Sequence, residues 1–297
     1  MTLLYLNRGH CSAVRAGKMR SQSPAANTTC DTVSLMRWLC LLAATAACAS
    51  AQLAAPNESG VSIGHVHLVV SDPDAQRKLF VDMLGAEITH AGPLEMWKLP
   101  GVFVIIQKAR TEPSGGSDGS TVNHFGFLVP SYSGIKAKLA AANLEVVMDR
   151  PETKQITVNF PEKVRVEFSE DAKLKVPVAF HHIHIATTDP ESLRAWYVKM
   201  FGGTAGKRNN FLAAMIPGGE VDFLKADAAL APTKGRALDH IGFEVTGLEA
   251  FCKKLQADGM AFDMTYRVIP QLDGLKIAFI LDPVGTRIEL TEGLTAH

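Results

Sequence analysis

The stretch AFHHIHIATTDPESLRAWYVKMFGG, residues 179–203, changes its hydrophobic period at an Asp-Pro step. Before the step His182, His184 and Ala186 alternate with Ile183 and Ile185, the period of two that marks a strand with unlike faces. After it, Leu193, Trp196, Tyr197, Met200 and Phe201 recur at the spacing of an amphipathic helix. Asp189 is a suitable N-cap, Pro190 suits the first helical position and Gly202 a helix stop. A helix that follows such a strand packs on its isoleucine face, which leaves the histidine face open.

The pattern is not confined to this stretch. GHVHLVVSDPDAQRKLFVDMLGAE, residues 64–87, places His65, His67, Asp72, Pro73 and Gly85 in register with His182, His184, Asp189, Pro190 and Gly202. A second pair, VNHFGFLV around His124 and LDHIGFEV around His240, sits at nearly the same offset, and VRVEFSED around Glu167 and TRIELTEG around Glu289 close the two halves. The chain therefore reads as four repeats of about 50 to 60 residues. Short alternating stretches with Pro/Gly turns, such as ITVNFPEKVRVEF and LKIAFILDPVGTRIEL, complete each repeat as a βαβββ unit.

Composition bounds what such a chain does. With 30 basic and 30 acidic residues among 297 there is no net charge and no basic footprint, which argues against nucleic acid as a partner. Residues 36–51 read as a signal peptide: Met36-Arg37, an apolar run from Trp38 to Ala47 too short to span a bilayer, then Ala49-Ser50-Ala51 before Gln52. Residues 1–35 then form a disordered or misassigned upstream extension. An exported, periplasmic or secreted protein is expected, with Cys48 as an alternative lipid-anchor site. Four of the five cysteines lie in this leader, so the remaining chain keeps only Cys252 and has no internal disulfide.

Histidines at open-face parity, a strand-borne Glu closing each half, and four βαβββ units together resemble the vicinal oxygen chelate superfamily, which includes glyoxalase I, extradiol dioxygenases and bleomycin-resistance proteins. The resemblance covers residues 64 to about 293. It implies an α+β fold in which the four units form two tandem half-open barrel domains, an N-terminal one at 61–172 and a C-terminal one at 178–293. It also implies a divalent ion, Fe(II), Zn, Mn or Ni, held by His182, His240 and Glu289 in the C-terminal half and by His65, His124 and Glu167 as a possible second site. A small-molecule substrate is the implied partner, and no oligomer is required.

Parity adds further candidates. His67 and His184 lie on the ligand face two residues beyond their neighbours, as substrate-facing groups or alternative ligands, whereas His181 has surface parity. Asp222, between Val221 and Phe223, and Glu244, inward on the His240 strand, are the candidate bases, with Ile105 at the position in the first unit that matches Asp222. A glyoxalase-like lyase or isomerase is the leading expectation. An extradiol-type dioxygenase is the alternative, weakened because Phe279 stands where that family's Tyr is expected and no His lies in VIPQLDGLK. A non-catalytic binding protein is the third reading.

Overall fold

The computed structural model describes residues 53–297; the upstream extension, the signal peptide and Cys48 lie outside the described residues. Each repeat is a βαβββ unit. Unit one contains β1 (Val61–Val70), β2 (Glu87–Ala91), β3 (Leu94–Leu99) and β4 (Val102–Lys108), with helix α1 (Pro73–Arg77) running into a π-helical turn at Lys78–Met83. Unit two has β5 (Val122–Val129), α2 (Tyr132–Ala141), β6 (Glu145–Arg150), β7 (Gln155–Phe160) and β8 (Val164–Glu170). Unit three has β9 (Ala179–Thr187), α3 (Pro190–Phe201), β10 (Thr204–Arg208), β11 (Phe211–Ile216) and β12 (Gly219–Lys225). Unit four has β13 (Leu238–Val245), α4 (Leu248–Ala257), β14 (Phe262–Ile269), β15 (Leu275–Leu281) and β16 (Arg287–Glu292).

The period change at Asp189 works as its chemistry requires. The Asp189 carboxylate accepts the Ser192 N–H at 3.1 Å, Pro190 opens α3, and Gly202 ends it at φ 65°. Asn57 secures that end from outside, its side-chain amide donating to the carbonyls of Phe201 and Gly202. Asp72 caps α1 in the same way.

Two eight-stranded sheets result, ordered β14-β15-β16-β13-β1-β4-β3-β2 and β10-β11-β12-β9-β5-β8-β7-β6. The two sheets do not follow the halves 61–172 and 178–293. Unit one shares its sheet with unit four through the antiparallel pair β1·β13, and unit two shares its sheet with unit three through β5·β9. The physical reason is that every first strand carries the same alternation, so any of them could pair with any other. Units two and three are separated by only the short connection 171–178, and they pair as neighbours do. Units one and four then pair with each other.

The strand faces opposite the histidines meet in one continuous core drawn from all four units, including Ile63, Phe80, Phe125, Ile183, Phe201 and Phe243. Phe201 of α3 stacks on Phe243 of β13 at 4.1 Å between centroids, and Phe80 stacks on Phe125, so each sheet is packed against elements of the other. Burying those faces together leaves the concave, histidine-bearing faces to form cavities. No helix among the described residues is long and apolar enough to cross a membrane.

Candidate metal centres

The β1·β13 pair builds the first centre. His67 lies opposite His240 and His65 opposite Gly242 in the register, while β16 runs parallel to β13 and brings Glu289 beside Gly242. Gly242 makes the arrangement possible, because a Cβ there would lie 2.0 Å from the His65 ring. Glu289 Oε2 then accepts from His65 Nε2 at 3.0 Å and from His240 Nε2 at 2.9 Å. His240 also donates from Nδ1 to Asp239 Oδ1 at 2.7 Å, and Arg287 Nη1 holds that same oxygen at 2.9 Å.

Titration behaviour follows from these contacts. Burial would raise the Glu289 carboxyl, but hydrogen bonds from His240 and His65 and their charge hold it well below the usual carboxylate range. Burial would lower His240, yet the two carboxylates it donates to outweigh that and raise it. His67 has no such support. Burial, followed by repulsion from His240, pushes it far below the ordinary imidazole value, and neither of its ring nitrogens has a hydrogen-bond partner.

One ligand atom from each of His65, His67, His240 and Glu289 lies within 4.8 Å of the others, and all four residues are buried. Three imidazoles and a carboxylate whose donor atoms converge in this way fit a divalent metal ion. Asp239 behind His240 is the outer partner that fixes the ring and its tautomer. The cavity in front, about 440 Å³, is mostly apolar, with Ile105, Met264, Leu272, Ile277 and Phe279 among its walls.

The β5·β9 pair builds the second centre with the same logic. Gly126 makes room for His182, where a Cβ would fall 2.2 Å from the ring, and His124 faces His184 across the pair. Here the convergence is looser. Glu167 Oε2 lies 3.4 Å from His124 Nε2, and its Oε1 lies 3.7 Å from His182 Nε2. Asn123 occupies the place of Asp239 and accepts from His124 Nδ1 at 2.8 Å. Asp222, fully buried, lies beside His184 in the register, and Arg208 reaches both. Burial works to raise Glu167, but His124 and then Arg208 and His184 bring it down to about 2, while burial takes His184 down to about 4. The cavity here is about 670 Å³, with Arg150, Thr153, Gln155, Asn209 and Asn210 among the residues on its walls.

All six expected ligands thus sit on concave faces, but they are grouped differently from the expectation. His182 lies with His124 and Glu167, not with His240 and Glu289; His65 lies with His240 and Glu289, not with His124 and Glu167. The regrouping follows from the sheet order and moves Asp222 with it. Asp222 and His184 therefore belong to the second centre, and Ile105 takes the matching position, opposite His67, in the first. Glu244 is on the open face but lines neither cavity. Its two oxygens accept from the Thr291 hydroxyl and the Gly293 N–H, both at 2.7 Å, so it ties β13 to β16 rather than standing free as a base. His181 is half-buried, with its Nδ1 2.9 Å from His182 Nδ1.

Three contributors escaped the sequence reading. Asp239 and Asn123 each precede a ligand histidine, a signal present in the repeated segments LDHIGFEV and VNHFGFLV. Arg208 ends an unremarkable edge strand and carries no signal.

Comparison with known proteins agrees with this architecture. Residues 179–290 match the family model of the Glyoxalase/Bleomycin resistance protein/Dioxygenase superfamily, a span made of units three and four. Glyoxalase I from Zea mays superposes with a TM-score of 0.61 at 13% identity, over 80% of this chain and 94% of its own. A "putative dioxygenase" from Bacillus subtilis superposes with a TM-score of 0.60 at 14% identity, over 83% and 88%. At such identities the likeness is one of fold. No curated protein matches the sequence.

Proposed function

We propose, for a chain whose residues 179–290 match the glyoxalase/bleomycin resistance protein/dioxygenase superfamily, that it is an exported mononuclear metalloenzyme of the lyase or isomerase type. Its substrate is a small molecule presenting two neighbouring oxygens. The observation that carries this reading is the convergence of His65 and His240 on one oxygen of Glu289, beside a His67 whose ring nitrogens are both unengaged.

His65, His240 and Glu289 would hold the ion, which when bound supplies Lewis-acid polarisation of the substrate oxygens. His67 is the base. Burial keeps its imidazole neutral near pH 7, so a ring nitrogen can accept a proton from carbon beside a carbonyl and return it elsewhere. Asp239 and Arg287 hold His240 in one orientation. Phe279, Ile277 and Met264 keep water from the reacting face.

Ring-opening dioxygenation is the second reading, and one observation favours it. With Ile105 where the other centre has Asp222, the first centre offers a single carboxylate, and with His67 free of the ion the set His65, His240 and Glu289 would be the donor set of non-haem Fe(II) oxygenases.

The deciding experiment loads metal-free protein with Zn or Ni under anaerobic conditions and follows solvent-proton exchange in α-ketoaldehyde thiol adducts and 2-substituted acyl thioesters. Oxygen uptake with catechols is followed after iron loading. Exchange that His67→Ala abolishes, with metal content retained, supports the isomerase or lyase reading. Oxygen uptake without exchange under any metal establishes the alternative, and tight ligand binding with neither leaves a binding protein. Export rests on the leader alone, and N-terminal sequencing of envelope protein should find Gln52, or a lipidated Cys48, as the mature start.

A further inference from the structure

A guanidinium stands inside the second histidine cluster, bonded to His184 and Asp222, while His124 Nε2 and His182 Nε2 have no hydrogen-bond partner. Arg208 Nε donates to Asp222 Oδ2 at 2.6 Å, and its Nη2 donates to His184 Nε2. The same group lies 3.7 Å from Glu220 Oε2 and 3.9 Å from Glu167 Oε1. A neutral imidazole has one acceptor nitrogen, so the His184 nitrogen that bonds Arg208 has no lone pair left for a metal.

In the first cluster no guanidinium among the described residues bonds a histidine ring, Arg287 reaching Asp239 behind His240. The two-residue loops joining β2 to β3 and β10 to β11 put Ala91 at the place of Arg208. Strand pairing puts Ile105 at the place of Asp222, since His67 pairs with Ile105 as His184 pairs with Asp222. At these two positions the carboxylate and the guanidinium are thus both present in one cluster and both absent from the other, where Arg287 bonds Asp239 instead.

Charge balance explains why they go together. Glu167, Asp222 and Glu220 lie around the histidines, and a largely buried group of carboxylates is costly without a cation among them. Arg208 supplies that cation permanently, because a guanidinium is not deprotonated in proteins. A metal ion entering here would have to displace a fixed positive charge from its hydrogen-bonded place.

We propose that Arg208 is the resident cation of the second cluster and closes it to metal, so that the chain carries one metal ion in spite of its two histidine clusters. This goes beyond the assignment of the first centre and can be tested apart from it. Purified metal-free protein is loaded with cobalt(II), desalted, and its metal content measured alongside the cobalt d–d absorption spectrum. The wild-type chain is expected to retain one equivalent, and Arg208→Met two, with a second set of absorption bands. Two equivalents in the wild-type chain overturn the proposal. So does an Arg208→Met protein that is folded by circular dichroism yet retains only the wild-type count. Glu289→Ala, with Arg208 intact, provides the check if Arg208→Met does not fold: it is expected to retain none, and one retained equivalent overturns the proposal. If the first centre does not hold metal, the wild-type chain reads zero and Arg208→Met reads one, which separates the two assignments.

Discussion

Glu289 is a buried carboxylate that two imidazoles keep charged, and the space for one of those imidazoles exists only because residue 242 has no side chain. Gly242→Ala is therefore expected to abolish metal retention at the first centre, since the added carbon would force the His65 ring aside, and metal content after desalting checks it. Asp239→Asn should leave the ligands in place but weaken metal affinity by about 10- to 100-fold, the usual cost of losing an outer-shell partner, as measured by competition with a chromophoric chelator. The second centre gives a pH prediction. His184 titrates near 4 in the folded protein against about 6.5 in an unfolded chain, so as pH falls through that interval the unfolded state binds the proton first. The stability it contributes is complete above about 6.5 and lost progressively down to about 4. His182, also lowered, acts in the same direction, whereas the raised His240 contributes stability that is lost only as pH rises above about 6.5 and is complete within this interval. Chemical unfolding of metal-free protein should show a steeper loss between pH 6.5 and 4 in the wild type than in His184→Gln. Parity put all six candidate ligands on the open faces. Parity could not say which ligands converge, because it fixes the face of a strand and not its partner. Nor could it find Arg208, whose importance comes from what it meets and not from its own strand.

At the scale of elements, local chemistry was legible where it acts locally. The Asp-Pro starts and glycine stops set the ends of α3, and the Cβ-free residues of HFGF and HIGF mark the strands that receive a histidine from across the sheet. The widening of the first helix into a π turn at Lys78–Met83 was not legible, since its sequence has the same apolar spacing as α3. Glu244 shows the limit of parity in another way. It faces inward, yet β16 and the Gly293 turn satisfy both its oxygens. Helix α4 contributes a further prediction through Cys252, which packs into the core among Leu248 and Leu255 and whose thiol burial pushes up to about 11. A thiol both buried and protonated is a poor nucleophile. Cys252 should stay unmodified by a thiol-specific disulfide reagent at pH 8 in native protein and react fully in denaturant, with absorbance of the released thiolate as the readout.

Across the whole molecule, the repeat announced four units but not their pairing. Any first strand presents the same hydrogen-bonding edge and the same alternation to any other, so the arrangement is decided by connection lengths and by what the core faces bury together. The consequence is that each contiguous half holds one unit of each sheet, and neither half contains its own central strand pair. Residues 53–173 and 177–297 expressed separately are expected not to fold as cooperative monomers, and to recover a single cooperative transition only when combined; a monomeric, cooperatively melting 177–297 fragment would show that units three and four can pair directly. The same topology makes the central claim, a metal centre shared between the first and last units, open to a direct measurement. Metal content of the loaded protein is compared in His65→Ala and His182→Ala, two substitutions at matching positions of β1 and β9. The expected result is loss of the metal in His65→Ala and its retention in His182→Ala. Retention in His65→Ala with loss in His182→Ala would contradict it.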